Sequence, residues 1–133
     1  MHWLLKTEPS VFSFADLQKS GKTAWDGVTA PAALKHIRSM STGDPVIIYH
    51  TGDQKQAVGL AAIASAPYPD PKQSDPKLVV IDLTAGKPLA KPVPLATLKA
   101  DKRFTDSPLL RIGRLSVVPL TADQYAAILK HAQ

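Results

Sequence analysis

The segment HWLLKTEP, residues 2–9, passes from a short apolar run into three consecutive polar residues. We interpret residues 2–6 as a first strand, because the run is short and apolar and ends at a Glu-Pro turn. Polar residues at the ends of strands are where small β-rich domains form ligand pockets. Lys6, Thr7 and Glu8 are therefore candidate binding residues. The alternative is that Glu8 serves only turn and capping chemistry.

A second informative segment, TAWDGVTAP at residues 23–31, sets Trp25 at a strand-loop junction, directly before an Asp-Gly turn. A tryptophan there can stack on a planar ligand such as a nucleobase, an interaction worth ~1–3 kcal/mol per base. Equally, it can plug the end of the core, since large aromatic side chains are mostly buried. Asp26 and Glu8 can each accept a hydrogen bond from an exocyclic amine, although Asp26 also suits the turn itself.

The bulk composition describes an ordinary globular chain with a basic excess. A length of 133 residues predicts one domain spanning residues 1–133. The net charge of +5 and the pI near 9.6 favour an anionic partner, of which nucleic acid is the commonest. The lack of cysteine excludes disulfides and thiolate metal sites. We expect no metal, no cofactor and no membrane partner, and a cytoplasmic location.

The rest of the chain predicts many short elements of both types. Four helices are expected, at residues 13–20, 31–40, 94–100 and 121–131, and four further strands, at residues 46–50, 57–65, 77–84 and 114–120. Residues 66–76 form a proline-rich loop, and Ala85-Gly86 a turn. Gly59 marks a close backbone approach. The expected class is α+β, a small mixed barrel of about five or six strands with short interposed helices.

Two helices carry specific local signals. Ser13-x-x-Asp16 and Thr121-x-x-Gln124 are capping boxes that open the first and last helices. The second helix has its buried stripe at Leu34, Ile37 and Met40, which leaves Lys35, His36 and Arg38 towards solvent.

A catalytic role is the more specific alternative to a binding role. His50 ends a strand beside Thr51 and is the best candidate for a catalytic histidine, but no metal-site, phosphate-loop or dinucleotide spacing accompanies it. A small enzyme that acts on a nucleotide or another planar substrate with His50 and Glu8 remains an open hypothesis. A third possibility is a protein-interaction role in which Trp25 is only part of the core.

Basic residues are concentrated in the last third of the chain and in the second helix. Together they can form a surface that follows a phosphate backbone, although mixed charges are more often a solvated face. They are Lys35, Arg38, Lys99, Lys102, Arg103, Arg111 and Arg114.

Several motifs occur together and in a fixed order. They are WLLKTEP (3–9), WDGV (25–28), a GD turn (43–44) followed by YHT (49–51), AVG (57–59), YPDP (68–71) and RLSV (114–117). With this ordered set, which covers nearly the whole chain, the sequence resembles the EVE domain family. The resemblance implies a PUA-like fold, a compact, curved β-barrel with short helices packed around it. It also implies the non-catalytic recognition of a modified base in DNA or RNA, flipped into an aromatic-walled pocket.

The resemblance also assigns roles to individual residues. It implies that Trp25 is an aromatic wall and that Tyr68 lies where related readers place a second one. The pocket would be lined by Lys6, Thr7 and Glu8 from the first strand, and by Tyr49, His50 and Thr51 from a later one. Arg114 and Ser116 would support the pocket or contact phosphate; Lys35 and Arg38 are candidates for phosphate contact from their charge alone. The chain departs from the family where Thr29, Ala30 and Pro31 replace the usual Arg-Asn, and where Thr51 replaces a serine.

Overall fold

The computed structural model describes residues 1–133 and contains seven strands, five α-helices and one 3-10 turn. The strands are β1 (His2–Thr7), β2 (Lys22–Trp25), β3 (Pro45–His50), β4 (Gln56–Ile63), β5 (Tyr68–Pro69), β6 (Val79–Pro94) and β7 (Val117–Leu120). The helices are α1 (Phe14–Ser20), α2 (Pro31–Arg38), α3 (Leu95–Ala100), α4 (Pro108–Arg111) and α5 (Ala122–His131), and the 3-10 turn is Lys102–Phe104. The expected α+β class is confirmed. None of the helices has the length and apolar character needed to cross a bilayer.

The strands form one mixed sheet in the order β2-β6-β4-β3-β1-β7, with β5 paired to β6. The β1–β3 pair is parallel, and the other pairs are antiparallel. Irregular registers interrupt the β3–β4 and β4–β6 pairs, and such bulges bend a sheet. No backbone pairing joins β2 to β7, so hydrogen bonds do not close the curved sheet into the expected barrel.

The seven strands exceed the expected five or six. The additional strands are β2 and β5, which are only four and two residues long and were not predicted from the sequence. The turn predicted at Ala85-Gly86 is wrong, because β6 continues to Pro94 along β4. Gly86 instead marks a close approach: a Cβ there would lie 2.8 Å from the Leu60 carbonyl oxygen. The predicted strand over residues 114–120 begins only at Val117, and the short helix α4 was not expected.

Several local predictions are confirmed. The capping boxes at Ser13 and Thr121 are both formed. Leu34, Ile37 and Met40 are buried as predicted, but α2 ends at Arg38, so Met40 lies beyond the helix. His36, predicted towards solvent, is half-buried with its ring centroid 5.9 Å from that of Trp3. Gly59 is a point of close approach because the Phe14 ring lies directly where its side chain would be. Helix α1 is thereby held against the middle of β4.

The start of β1 is fixed by a buried polar network around Trp3, which is 1% exposed. The indole Nε1 donates to Asp44 Oδ2 at 2.9 Å, and the same oxygen accepts from the Ser41 amide at 2.9 Å. The N-terminal ammonium donates to Asp44 Oδ1 at 3.1 Å. These contacts set the register of the strand whose far end carries the candidate site residues.

Candidate functional site

The carboxyl end of β1 distributes the predicted site residues over two faces of the sheet. In the parallel pair with β3, Lys6 lies beside Tyr49 and Thr7 beside His50. Successive side chains of a strand point to opposite faces. Lys6 and Tyr49 therefore share one face, and Thr7 and His50 share the other. The predicted residues do not form a single pocket.

On the Thr7 face, a cavity of about 380 Å³ opens beside Trp25. We call it the tryptophan cavity; its lining residues are Thr7, Val11, Phe12, Thr23, Ala24, Trp25, Asp26 and Gly27. Trp25 is the last residue of β2 and is 8% exposed. Its ring meets that of Phe12 edge to face, with centroids 6.1 Å apart and an interplanar angle of 76°. Trp25 thus belongs to the core and also forms a cavity wall, so the two roles considered for it are compatible.

The loop between β1 and α1 forms one side of the tryptophan cavity and is held by its own hydrogen bonds. The Val11 and Phe12 amides both donate to the Glu8 carbonyl at 2.9 Å. The Thr7 hydroxyl donates to the Phe12 carbonyl at 2.6 Å. These contacts hold Val11 at the rim with 80% of its surface exposed.

The Glu8 carboxylate faces its own turn and does not line the tryptophan cavity. Its Oε1 accepts from the Ser10 amide at 3.1 Å and from the Ser10 hydroxyl at 3.0 Å, and these bonds lower the pKa of Glu8. Its Oε2 lies against Gly52, where a Cβ would be only 2.5 Å away. Gly52 also has a positive φ of 70°, a backbone conformation that favours glycine.

On the Lys6 face, a separate cavity of about 190 Å³ lies between the strand ends and the α3 and α4 region. We call it the lysine cavity; its lining residues are Lys6, Tyr49, Thr51, Gly52, Lys55, Leu95, Leu109 and Gly113. Lys6 Nζ donates to the Gly113 carbonyl at 3.0 Å and lies 5.8 Å from the centroid of the Tyr49 ring. Burial lowers the pKa of Lys6 and raises the pKa of Tyr49.

His50 lines neither cavity and has both ring nitrogens engaged. It is 7% exposed, and its Nε2 accepts from the Phe14 amide at 3.0 Å. Because a backbone N–H can only donate, the ring proton is on Nδ1, which donates to Gln54 Oε1 at 2.8 Å. This arrangement leaves no ring nitrogen free for proton transfer and gives no support to a catalytic role.

Tyr68 lies apart from both cavities. It pairs with Val80 of β6, and its hydroxyl donates to Asp82 Oδ1. That bond raises the pKa of Tyr68 to about 12. The role of Tyr68 as a second aromatic wall stays a prediction.

The predicted basic residues are spread over several elements. Arg38 Nη2 donates to the Lys77 carbonyl at 2.8 Å, and Lys35 is exposed on the same helix. The Ser116 carbonyl accepts from the Lys6 amide at 2.9 Å, and Arg114 is exposed just before β7. Their contribution to phosphate binding stays a prediction.

Part of the predicted basic surface is neutralised within the protein. Arg103 donates through Nε to Asp101 Oδ1 at 3.0 Å and through Nη2 to Oδ2 at 2.7 Å. His131 Nε2 lies 2.8 Å from the same Oδ2. The Arg103 and His131 contacts hold the pKa of Asp101 far below its usual range.

Several lining residues of both cavities were not predicted from the sequence, among them Val11 and Phe12 in the tryptophan cavity and Lys55 in the lysine cavity. Val11 and Phe12 stand in a polar turn between predicted elements, where an apolar pair is itself a signal. No sequence pattern around Lys55 marks it as a cavity residue, because its position beside the cavity depends on the pairing of β4 with β3 and β6.

The mixed sheet with one parallel pair, its surrounding helices and the cavities at its strand ends define a PUA-like α+β domain. Comparison with family models makes the assignment specific. The model of the EVE domain matches residues 1–131, and the chain belongs to the EVE domain family. The resemblance noted from the motifs is thereby confirmed.

Similar proteins are known from bacteria and animals. The structure of Rpa0253 from Rhodopseudomonas palustris is 40% identical, covers 98% of this chain and 92% of that chain, and superimposes with a TM-score of 0.92. Human thymocyte nuclear protein 1 is 29% identical over 96% of this chain and 72% of its own length. Human THYN1 has been crystallised in complex with DNA that contains 5-methylcytosine; that chain is 28% identical, with 99% of this chain and 97% of that chain covered and a TM-score of 0.89.

Proposed function

We propose that this protein binds DNA and receives one flipped base, in the first instance 5-methylcytosine, in the tryptophan cavity. The human relative crystallised with 5-methylcytosine DNA supports both the polymer and the base. The net charge of +5 supports attraction to a polyanion. The proposed role is recognition without chemistry.

The observation that carries the proposal is the combination of an aromatic wall and a cavity of suitable size at Trp25. A volume of about 380 Å³ is at the small end of the range for ligand sites. A base stacked on the indole gains ~1–3 kcal/mol. Phe12 and Val11 offer apolar surface for the C5 methyl group, and the Asp26 carboxylate can accept from the exocyclic amine of cytosine.

Base flipping has an energetic cost that predicts a substrate preference. Extrusion of a base from a duplex costs a few kcal/mol and least for an unpaired base. With only a small basic excess to hold the backbone, we expect weak, salt-sensitive binding. The same modified base should therefore bind more tightly in a single strand or a mismatch than in a fully paired duplex.

Tryptophan fluorescence gives a direct test. The chain has two tryptophans, and Trp3 is 1% exposed with its indole N–H bonded to Asp44. A change in emission on titration therefore reports Trp25. The titration would use single-stranded and duplex DNA and RNA of one sequence, each with cytosine or 5-methylcytosine, at two salt concentrations. We expect quenching that is strongest with methylated DNA. If methylated RNA quenches the emission as strongly as methylated DNA, the protein does not select DNA over RNA.

Variants must separate the loss of a wall from the loss of the fold. Trp25→Ala removes a core side chain and is expected to cost ~3–5 kcal/mol of stability. Val11→Ser is the cleaner change, because an exposed substitution usually stays within about 0.5 kcal/mol. Ile112→Ser is its matched control, since Ile112 is 53% exposed and lines neither cavity. Trp25→Phe is a third variant. If Val11→Ser and Trp25→Phe both bind methylated DNA as tightly as the parent protein and the control Ile112→Ser do, the tryptophan cavity is not the base site.

A further inference from the structure

The lysine cavity is left unused by base binding at Trp25, because it lies on the opposite face of β1. We propose that the lysine cavity binds a phosphate group through Lys6 and Lys55. The phosphate is either a diester of the bound strand, a case that rests on the proposed function, or a free monoester or orthophosphate, which does not.

Lys6 provides a half-buried positive charge without a counter-charge. Its ammonium makes one hydrogen bond, to the Gly113 carbonyl at 3.0 Å, and no carboxylate lies within 4.0 Å of it. An ammonium has three donors, so two remain for a ligand. Burial without a paired charge disfavours the charged form, as the lowered pKa of Lys6 reflects. An anion in the cavity would compensate that charge.

Lys55 is an exposed residue that lines the same cavity, and its backbone conformation is unusual. It is the single non-glycine residue with a positive φ, at 48°. Such a conformation is unfavourable for a residue with a side chain and is concentrated at functional sites. The Lys55 carbonyl accepts from the Leu95 amide at 2.8 Å, so the conformation is fixed by the adjoining chain. The side chain forms no ion pair.

The remaining lining residues suit a phosphate oxygen. Tyr49 lines the cavity, and burial alone accounts for its raised pKa. None of the lining residues carries a carboxylate, and the volume of about 190 Å³ suits a small group better than a base with its sugar. The nearest acidic residue is Glu8, whose Oε2 lies against Gly52 and whose pKa is lowered by hydrogen bonds with Ser10 and Thr51, while its Oε1 accepts two bonds from Ser10.

The salt dependence of DNA binding tests the strand-phosphate case. Each neutralised phosphate contributes about 0.7 (single strand) to 0.9 (duplex) to the steepness of log K against log salt. We expect Lys55→Gln to reduce the steepness by about that amount. Lys87→Gln is the matched control, because Lys87 is an exposed lysine of β6 outside both cavities and its loss changes the net charge equally. Binding of the methylated base itself should persist in Lys55→Gln.

Thermal unfolding with inorganic phosphate tests the free-phosphate case. A ligand that binds only the native state raises Tm as its concentration rises. At constant ionic strength, we expect phosphate in place of chloride to raise the Tm of the parent protein and of Lys87→Gln, and that of Lys55→Gln less. If no DNA binds but this difference in Tm is present, the proposed function fails and the phosphate site stands. If Lys55→Gln matches Lys87→Gln in both the salt slope and the Tm response, the phosphate site is refuted.

Discussion

Replacement of His50 by alanine should destabilise the protein, because this side chain caps α1 from a neighbouring strand. Phe14 is the first residue of α1, and first-turn amides have no partner within a helix. The Phe14 amide donates instead to His50 Nε2 at 3.0 Å, in a buried setting. His50→Ala leaves this buried donor unpaired, which costs ~1–3 kcal/mol. Loss of the packed ring adds to that cost.

Two further variants separate the contributions of the ring nitrogens. Gln54→Ala removes only the partner of Nδ1 and, because Gln54 is exposed, should stay within about 0.5 kcal/mol. His50→Gln keeps an acceptor that can meet the Phe14 amide, so it should lie between the parent protein and His50→Ala. The expected order of stability is parent, then Gln54→Ala, then His50→Gln, then His50→Ala.

Urea unfolding followed by circular dichroism measures this order. With a slope of ~1–3 kcal/mol per molar, a loss of about 2 kcal/mol moves the midpoint by roughly 1 M. Hydrogen exchange at the Phe14 amide should accelerate in His50→Ala and much less in Gln54→Ala. Equal stabilities of His50→Ala and Gln54→Ala would refute the capping role. Full stability of His50→Gln combined with loss of oligonucleotide binding would instead place His50 in the binding site.

Three other predictions follow from single contacts. Gly59→Ala should lower the free energy of unfolding by ~1–3 kcal/mol, measured by urea unfolding, because the Phe14 ring must move; an unchanged midpoint would contradict the packing. The pKa of Asp101 is lowered in the folded state, so its stabilisation is present at neutral pH and is lost as the pH falls below the ordinary value of 3.8. The difference between the urea midpoints of the parent protein and Asp101→Asn should therefore shrink below about pH 4, and a constant difference would exclude this linkage. The bond to Asp82 raises the pKa of Tyr68 to about 12. Tyr68→Phe should therefore remove a step near pH 12 from the alkaline absorbance titration, and the loss of a step near the ordinary value of 10 instead would show that the bond is not formed.

The predictions from sequence that hold are those that depend on neighbours in the chain. The capping boxes at Ser13 and Thr121 need only residues three positions apart, and both form. The burial of Leu34 and Ile37 in α2 follows from helical periodicity, which is also a local property. The sequence predicts a close approach at Gly59, but it does not predict that the approaching group is Phe14.

The predictions that fail concern strand pairing. β2 is four residues long, and its Trp25 pairs with Ile81 from a distant part of the chain. β6 extends past the expected turn at Ala85-Gly86 because β4 supplies pairing partners along it. A strand is defined by hydrogen bonds to another segment, so its length cannot be deduced from its own residues alone.

The sequence alone determined the family, the α+β class, the basic charge and the prominence of Trp25, because these depend on composition and on an ordered set of motifs. Only the tertiary structure divided the consecutive residues Lys6 and Thr7 between two cavities, since adjacent side chains of a strand face opposite sides. It also brought Phe12 to Trp25 and Lys55 to Lys6. Such neighbourhoods form through the pairing of strands remote in sequence, and no local pattern encodes which remote residues will meet.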